Sequence, residues 1–201
     1  MLQNHPFKIF LLFLGLGILL YGNTLSHDFA LDDAIVITDN EFTKKGLDGI
    51  WDQLSNDQFV GFYGMKKELV SGGRYRPLSM VVFNIQYALA GESAFIGHLC
   101  NVLAYILCGF LLFIILQKLL SNYKSPIPFI SFPLVASLLW FFHPIHTEVV
   151  ANIKGLDEIM AFIGELITLG LILKYLDSKK IGYLRGAAVI FFLALLSKEN
   201  A

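Results

Sequence analysis

Apolar residues in this chain come in long windows, not in short alternating runs. Between Lys8 and Asp28 lie 19 residues without an Asp, Glu, Lys or Arg, dominated by the run from Ile9 to Tyr21. Residues 93–117 and 125–147 form uncharged windows of 25 and 23 residues. At 1.5 Å rise per residue, each holds a helix long enough for a ~30 Å hydrocarbon core. A fourth apolar helix is interrupted by Glu165, and a fifth follows Arg185. The pattern predicts an all-α polytopic membrane protein with about five transmembrane helices, at about 7–25, 98–118, 126–143, 157–176 and 186–199. The uncharged window at 77–91 has only 15 residues, too short for a comfortable crossing, and reads as an interfacial or re-entrant helix.

Composition agrees with this reading. Of 201 residues, 56% are apolar and 15% charged, against roughly 25% charged in a soluble domain. With 18 Phe residues and a mean hydropathy of +0.64, the chain carries too little charge for disorder, a coiled coil or nucleic-acid binding. Cys100 and Cys108 share one apolar stretch without CxxC spacing and suggest neither a disulfide framework nor a zinc site.

The net charge of −1 says nothing about partners, but its distribution is informative. With a cytoplasmic N-terminus, the inside segments carry Lys8, Lys118, Lys124, Lys174, Lys179, Lys180 and Arg185 against the single acid Asp177. The other acids lie outside, which is the positive-inside pattern. The first span lacks an obvious cleavage site after it and reads as a retained helix. The outer loop, 26–75, is rich in Asp and also holds Trp51, Phe59, Phe62 and Tyr63. It is too aromatic for a disordered linker and is expected to fold onto the membrane surface.

Four polar strings call for a reason. In FALDDAIVITDN, Asp32 and Asp33 are adjacent, so their side chains diverge and do not share one proton. One reading makes one of them a general base and the other an anchor; the alternative makes both solvated acids at a membrane exit. In GGRYRPLS, Arg74 and Arg76 flank Tyr75 ahead of the short helix, where guanidinium groups suit bidentate phosphate binding or simply snorkel at the interface. In the stretch 140–158, His143, His146 and Glu148 form an H-x-x-H-x-E cluster interrupted by Pro144. It lacks the helical spacing of a zinc pair, and a polar cavity lining is favoured over a metal site. Lys154, Asp157 and Glu158 follow at pairing distance, and Glu165 is expected to face other helices or a wet cavity and not lipid. In LLSKENA, Lys198 and Glu199 end the fifth helix. All four clusters converge on one membrane face.

Taken in order, FALDDAIVITDN, RYRPLS, HLCNVL, FHPIHTEVVANIKGLDEIMA and LLSKEN resemble the N-terminal part of the transmembrane and tetratricopeptide-repeat (TPR) family, related to the protein O-mannosyltransferases of the GT-C class. The resemblance implies a glycosyltransferase passing a hexose such as mannose from a polyprenyl-phosphate-linked sugar to a hydroxyl on a protein or glycan. Asp33 is implied as the immediate catalytic residue, with Asp32 second. Arg74, Arg76, His143, His146, Glu148, Asp157, Lys198 and Glu199 are implied as donor-binding residues. No metal ligand is assigned, and a divalent cation is left open as a cofactor. The family has about twice as many spans followed by TPR repeats, so residues 1–201 are expected to be the front of one GT-C-like domain, truncated and inactive alone. The resemblance does not separate a bacterial plasma membrane from the endoplasmic reticulum. A transporter, a non-catalytic scaffold subunit and a metalloenzyme built on His143, His146 and Glu148 are the competing readings.

Overall fold

The computed structural model describes residues 5–66, 74–121 and 131–200. Among these residues every regular element is helical. Helix α1 spans Pro6–Tyr21 and continues into a 3-10 turn at Gly22–Ser26. Three short helices follow in the loop: α2 (Glu41–Lys44), α3 (Ile50–Ser55) and α4 (Gln58–Tyr63). The remainder is α5 (Pro77–Ala90), α6 (Ala94–Leu119), α7 (Phe132–Phe141), α8 (Thr147–Ala151), α9 (Leu156–Ser178) and α10 (Ile181–Ser197). The chain is an all-α polytopic membrane protein.

Among the described residues three stretches are long and apolar enough to cross a membrane: Pro6–Ser26, Ala94–Leu119 and Ile153–Ser178. The expected span at 126–143 begins outside the described residues. Its described part is α7, which breaks at Pro144 and continues, bent by 46°, into Pro144–Ala151. Proline lacks the N–H that would carry the helix on, and counting this bent pair as one span makes four. The expected fifth crossing, 186–199, is the 17-residue helix α10, about 25 Å long and shorter than the core it was assigned to cross. The expected short helix at 77–91 is α5, Pro77–Ala90, with Pro77 in its first turn.

Aromatic packing joins α1, α6 and α7. Phe13 meets Phe141 edge-on at 5.1 Å, Tyr21 meets Tyr105 at 5.3 Å, and Phe13, Phe113 and Phe141 are fully buried. A Cβ on Gly109 would lie 2.5 Å from Phe141 and 2.8 Å from Phe13, so only glycine admits both rings against α6. Helices α9 and α10 form an antiparallel hairpin joined by Lys179 and Lys180, with Gly164 packed close against Ala194. Small residues of this kind let membrane helices pack backbone to backbone. Lys118 pairs with Asp177, so the far ends of α6 and α9 meet. The near ends of α5, α6 and α9, the end of α10 and the loop after α1 gather at the opposite, polar end.

The loop folds around a buried amide network that the pattern of charges does not reveal. Asn40 Oδ1 caps α2 by accepting from the N–H groups of Phe42 and Thr43, both at 3.1 Å, while Nδ2 donates to the Ile35 and Gln58 carbonyls. Gln53 Nε2 donates to Asn84 Oδ1 at 3.1 Å, and Asn84 Nδ2 donates to the carbonyls of Phe42 (2.9 Å) and Gly46 (2.7 Å). Asn84 therefore stitches the loop onto α5. Replacing it with alanine removes all three of these hydrogen bonds. The expected cost is about 1–3 kcal/mol, read as faster amide exchange at residues 40–55 while α6 stays protected.

Candidate functional site

The polar end is organised around Asp157, in the first turn of α9 and 2% exposed. Three cations from three parts of the chain meet it. Arg76 Nη1 donates to Oδ2 at 2.7 Å, Lys154 Nζ lies 3.5 Å from Oδ2, and Lys198 Nζ lies 3.5 Å from Oδ1. Buried ions are tolerated when paired, and this carboxylate sits at the α9 N-terminus, where negative charge is favoured. Lys198 also pairs with Glu158.

Arg76 is itself 5% exposed and uses the rest of its fork on Glu199: Nε to Oε2 at 2.6 Å and Nη2 to Oε1 at 2.7 Å. This is the two-pronged geometry in which arginine grips carboxylate or phosphate. The Arg76 hydrogen bonds hold the Glu199 carboxyl down to about 2, well below the ordinary carboxylate range.

The two adjacent aspartates have different surroundings. Asp33 is fully buried; Oδ2 accepts the Ala30 N–H at 3.0 Å and Oδ1 accepts the Lys154 N–H at 2.8 Å. It ties the loop after α1 to the turn before α9. Burial raises its pKa, with the two backbone N–H groups pulling the other way. Asp32 is exposed, with Oδ2 at 3.9 Å from Lys154 Nζ. Of the pair, Asp32 is the carboxylate that an incoming molecule can reach.

The other expected residues fall in three places. Arg74 lies with its guanidinium 5.8 Å from the Phe59 ring and its carbonyl accepting the Gln58 N–H, so it braces the loop instead of joining Arg76. Residues 72 and 73, ahead of it, are outside the described residues. His143 is exposed and its Nδ1 accepts the Ile145 N–H, capping the turn at Pro144–His146. His146 instead packs on Trp140 (4.5 Å) and faces a cavity of about 290 Å³ lined also by Tyr105, Glu158 and Glu165. Glu148 is exposed, on the first turn of α8. Among the described residues no group of three or more His, Cys, Asp or Glu is gathered so as to hold a metal ion, and His143, His146 and Glu148 do not form one.

Lys154 and Glu158 belong to the site although neither stood among the expected binding residues. Their spacing from Asp157 marked them as neighbours, and Lys154 does pair with Asp157. Glu158, however, reaches Lys198, forty positions later, a partner no local pattern reveals. His98, 1% exposed, packs against His27 at 6.1 Å between ring centroids.

No family model and no solved structure matches this chain. Curated proteins do. Protein O-mannosyl-transferase F38B6.6 of Caenorhabditis elegans is 31% identical over 199 residues, which is 98% of this chain and 27% of that protein. Protein O-mannosyl-transferase TMTC2 of Homo sapiens is 30% identical over 193 residues, 92% of this chain and 21% of the relative. Human TMTC1 is 29% identical over 184 residues, 91% and 20% respectively. The chain is TMTC-like. The likeness covers nearly all of it, and the chain spans about a fifth to a quarter of the length of these relatives. In this TMTC-like chain the fold collects Arg76, Lys154, Asp157, Lys198 and Glu199 at one end.

Proposed function

We propose that this chain carries the donor-handling face of a glycosyltransferase of the endoplasmic reticulum membrane, moving a mannose from a polyprenyl-phosphate carrier to a protein hydroxyl on the lumenal side. The observation that carries the proposal is the meeting of three cations, Arg76, Lys154 and Lys198, beside the exposed carboxylate Asp32 at one end of an apolar helical bundle. The names of the TMTC relatives support mannosyl transfer, and the apolar helices suit a donor confined to the bilayer.

The chemistry asks for these groups. The acceptor O–H attacks the anomeric carbon, a C–O bond forms there, and the bond to the phosphate oxygen breaks, releasing polyprenyl phosphate. Asp32 takes the hydroxyl proton as general base. Lys154 and Lys198 offset the negative charge that grows on the leaving phosphate, and Glu199 occupies the Arg76 fork in the way a phosphate would. Asp33 acts by positioning, since its oxygens are taken up by backbone N–H groups that set the loop against α9.

Binding tests this directly. The chain in lipid nanodiscs is expected to bind polyprenyl phosphate at least tenfold more tightly than the uncharged polyprenol, and Lys198→Ala to remove most of that difference. Equal binding of the two lipids by the unmodified chain refutes the proposal. A transporter spreads polar groups through the membrane depth, whereas the ion pairs described above collect at the two ends of the bundle.

A further inference from the structure

The 290 Å³ cavity lies on the membrane side of the ion cluster, and its polar groups are unlike those above it. Glu158 stands at its rim, paired with Lys198. Glu165, two turns further along α9 and about 10 Å deeper, lines the same cavity and has no hydrogen-bond or ion-pair partner among the described residues. His146 Nε2 is buried there and likewise unpartnered. Asn200 also lines it, and the rest of the wall is apolar or aromatic, with Tyr105 and Trp140 stacked on each other at 5.5 Å.

A carboxylate at membrane depth without a cation, in one cavity with an unpartnered imidazole nitrogen, marks a place where a polar ligand completes the set. Three properties define that ligand. It offers O–H donors to Glu165. It serves either tautomer of His146, which a hydroxyl does because it both donates and accepts. It also has an apolar face for the aromatic wall. A free metal ion fits poorly, because the described residues gather no set of three metal-ligating side chains. The volume sits just under the ~300–1,000 Å³ range of pockets for drug-sized ligands, so one sugar ring suits it better than an oligosaccharide.

We infer that this cavity is a monosaccharide pocket in which Glu165 and His146 hold the hydroxyls of a lipid-linked hexose. The inference rests on the phosphate reading above, because Lys198 at the rim is the cation that holds the phosphate bonded to that sugar. Glu165 thereby sets the preference for a sugar-bearing lipid over its bare carrier.

The chain has two tryptophans, and Trp51→Phe leaves Trp140 as the sole reporter at the cavity. In nanodiscs, that chain is titrated with polyprenyl-phosphate mannose and with polyprenyl phosphate. The expected result is about tenfold tighter binding of the mannose lipid, with a change in Trp140 emission confined to that lipid. Glu165→Gln and, separately, His146→Phe are expected to abolish the preference while polyprenyl phosphate still binds with unchanged affinity, which also reports that each variant is folded. If both lipids bind but the preference is missing, or survives in both variants, the pocket assignment is overturned and the phosphate reading stands. If neither lipid binds, both are overturned.

Discussion

Replacing Arg76 with alanine is expected to cost about 3–5 kcal/mol of stability, the largest effect of any single substitution in the cluster. The side chain is 5% exposed and makes three charge-assisted hydrogen bonds, one to Asp157 and two to Glu199. Glu199 is largely exposed and recovers water when released; Asp157, 3% exposed in its side chain, does not. The penalty thus comes from leaving a buried carboxylate with only the two lysines at 3.5 Å. Unfolding of the detergent-solubilised chain checks the value. A loss below about 1 kcal/mol for Arg76→Ala would instead mean that the cluster is hydrated like a surface salt bridge.

The second large effect is on catalysis. In a chimera that places residues 1–201 in the aligned stretch of the Caenorhabditis elegans relative, Asp32→Asn is expected to lower mannosyl transfer by about 10²–10⁴, the contribution of a general base. Binding of polyprenyl-phosphate mannose should change less than twofold, since Asp32 is exposed and 3.9 Å from its nearest cation. Asp33→Asn separates from it in kind. An amide presents one acceptor where the carboxylate presents two, so the loop loses its hold on either Ala30 or Lys154. That variant is expected to lose stability and activity together. Full transfer activity in Asp32→Asn would remove the base assignment.

Much of the helical framework was legible because membrane helices announce themselves by length and absence of charge. The windows around Ile9–Tyr21 and residues 93–117 became α1 and α6 with ends shifted by a few residues. The break at Pro144 was visible as a stop; that the helix resumes at an angle was not, since the direction depends on what α8 packs against. The loop network went unread for a simple reason. Asn40, Gln53 and Asn84 carry no formal charge, so windows counted by charge pass over them, yet they hold the loop in place.

Sequence reasoning placed Arg76, Asp157, Lys198 and Glu199 toward one face, and the fold gathers these four, but it could not pair them. Asp32 and Asp33 are equivalent in any one-dimensional reading. Which of the two is buried follows from a backbone N–H at Lys154, 121 positions away. Arg74 and Arg76 look alike for the same reason, and only the packing of Arg74 on Phe59 separates them.

The clasp on Arg76 also sets a schedule. Asp157 is made 81 residues after Arg76, and Glu199 123 residues after it. At roughly 5–20 residues per second, the arginine waits about 4–16 s for its first acid and about 6–25 s for its second. During that interval α5 has no counter-ion from α9 or α10 to draw its N-terminal end into the bundle. Completion of this end is therefore gated by chain elongation, since the acids that clasp Arg76 come from the start of α9 and the residues after α10.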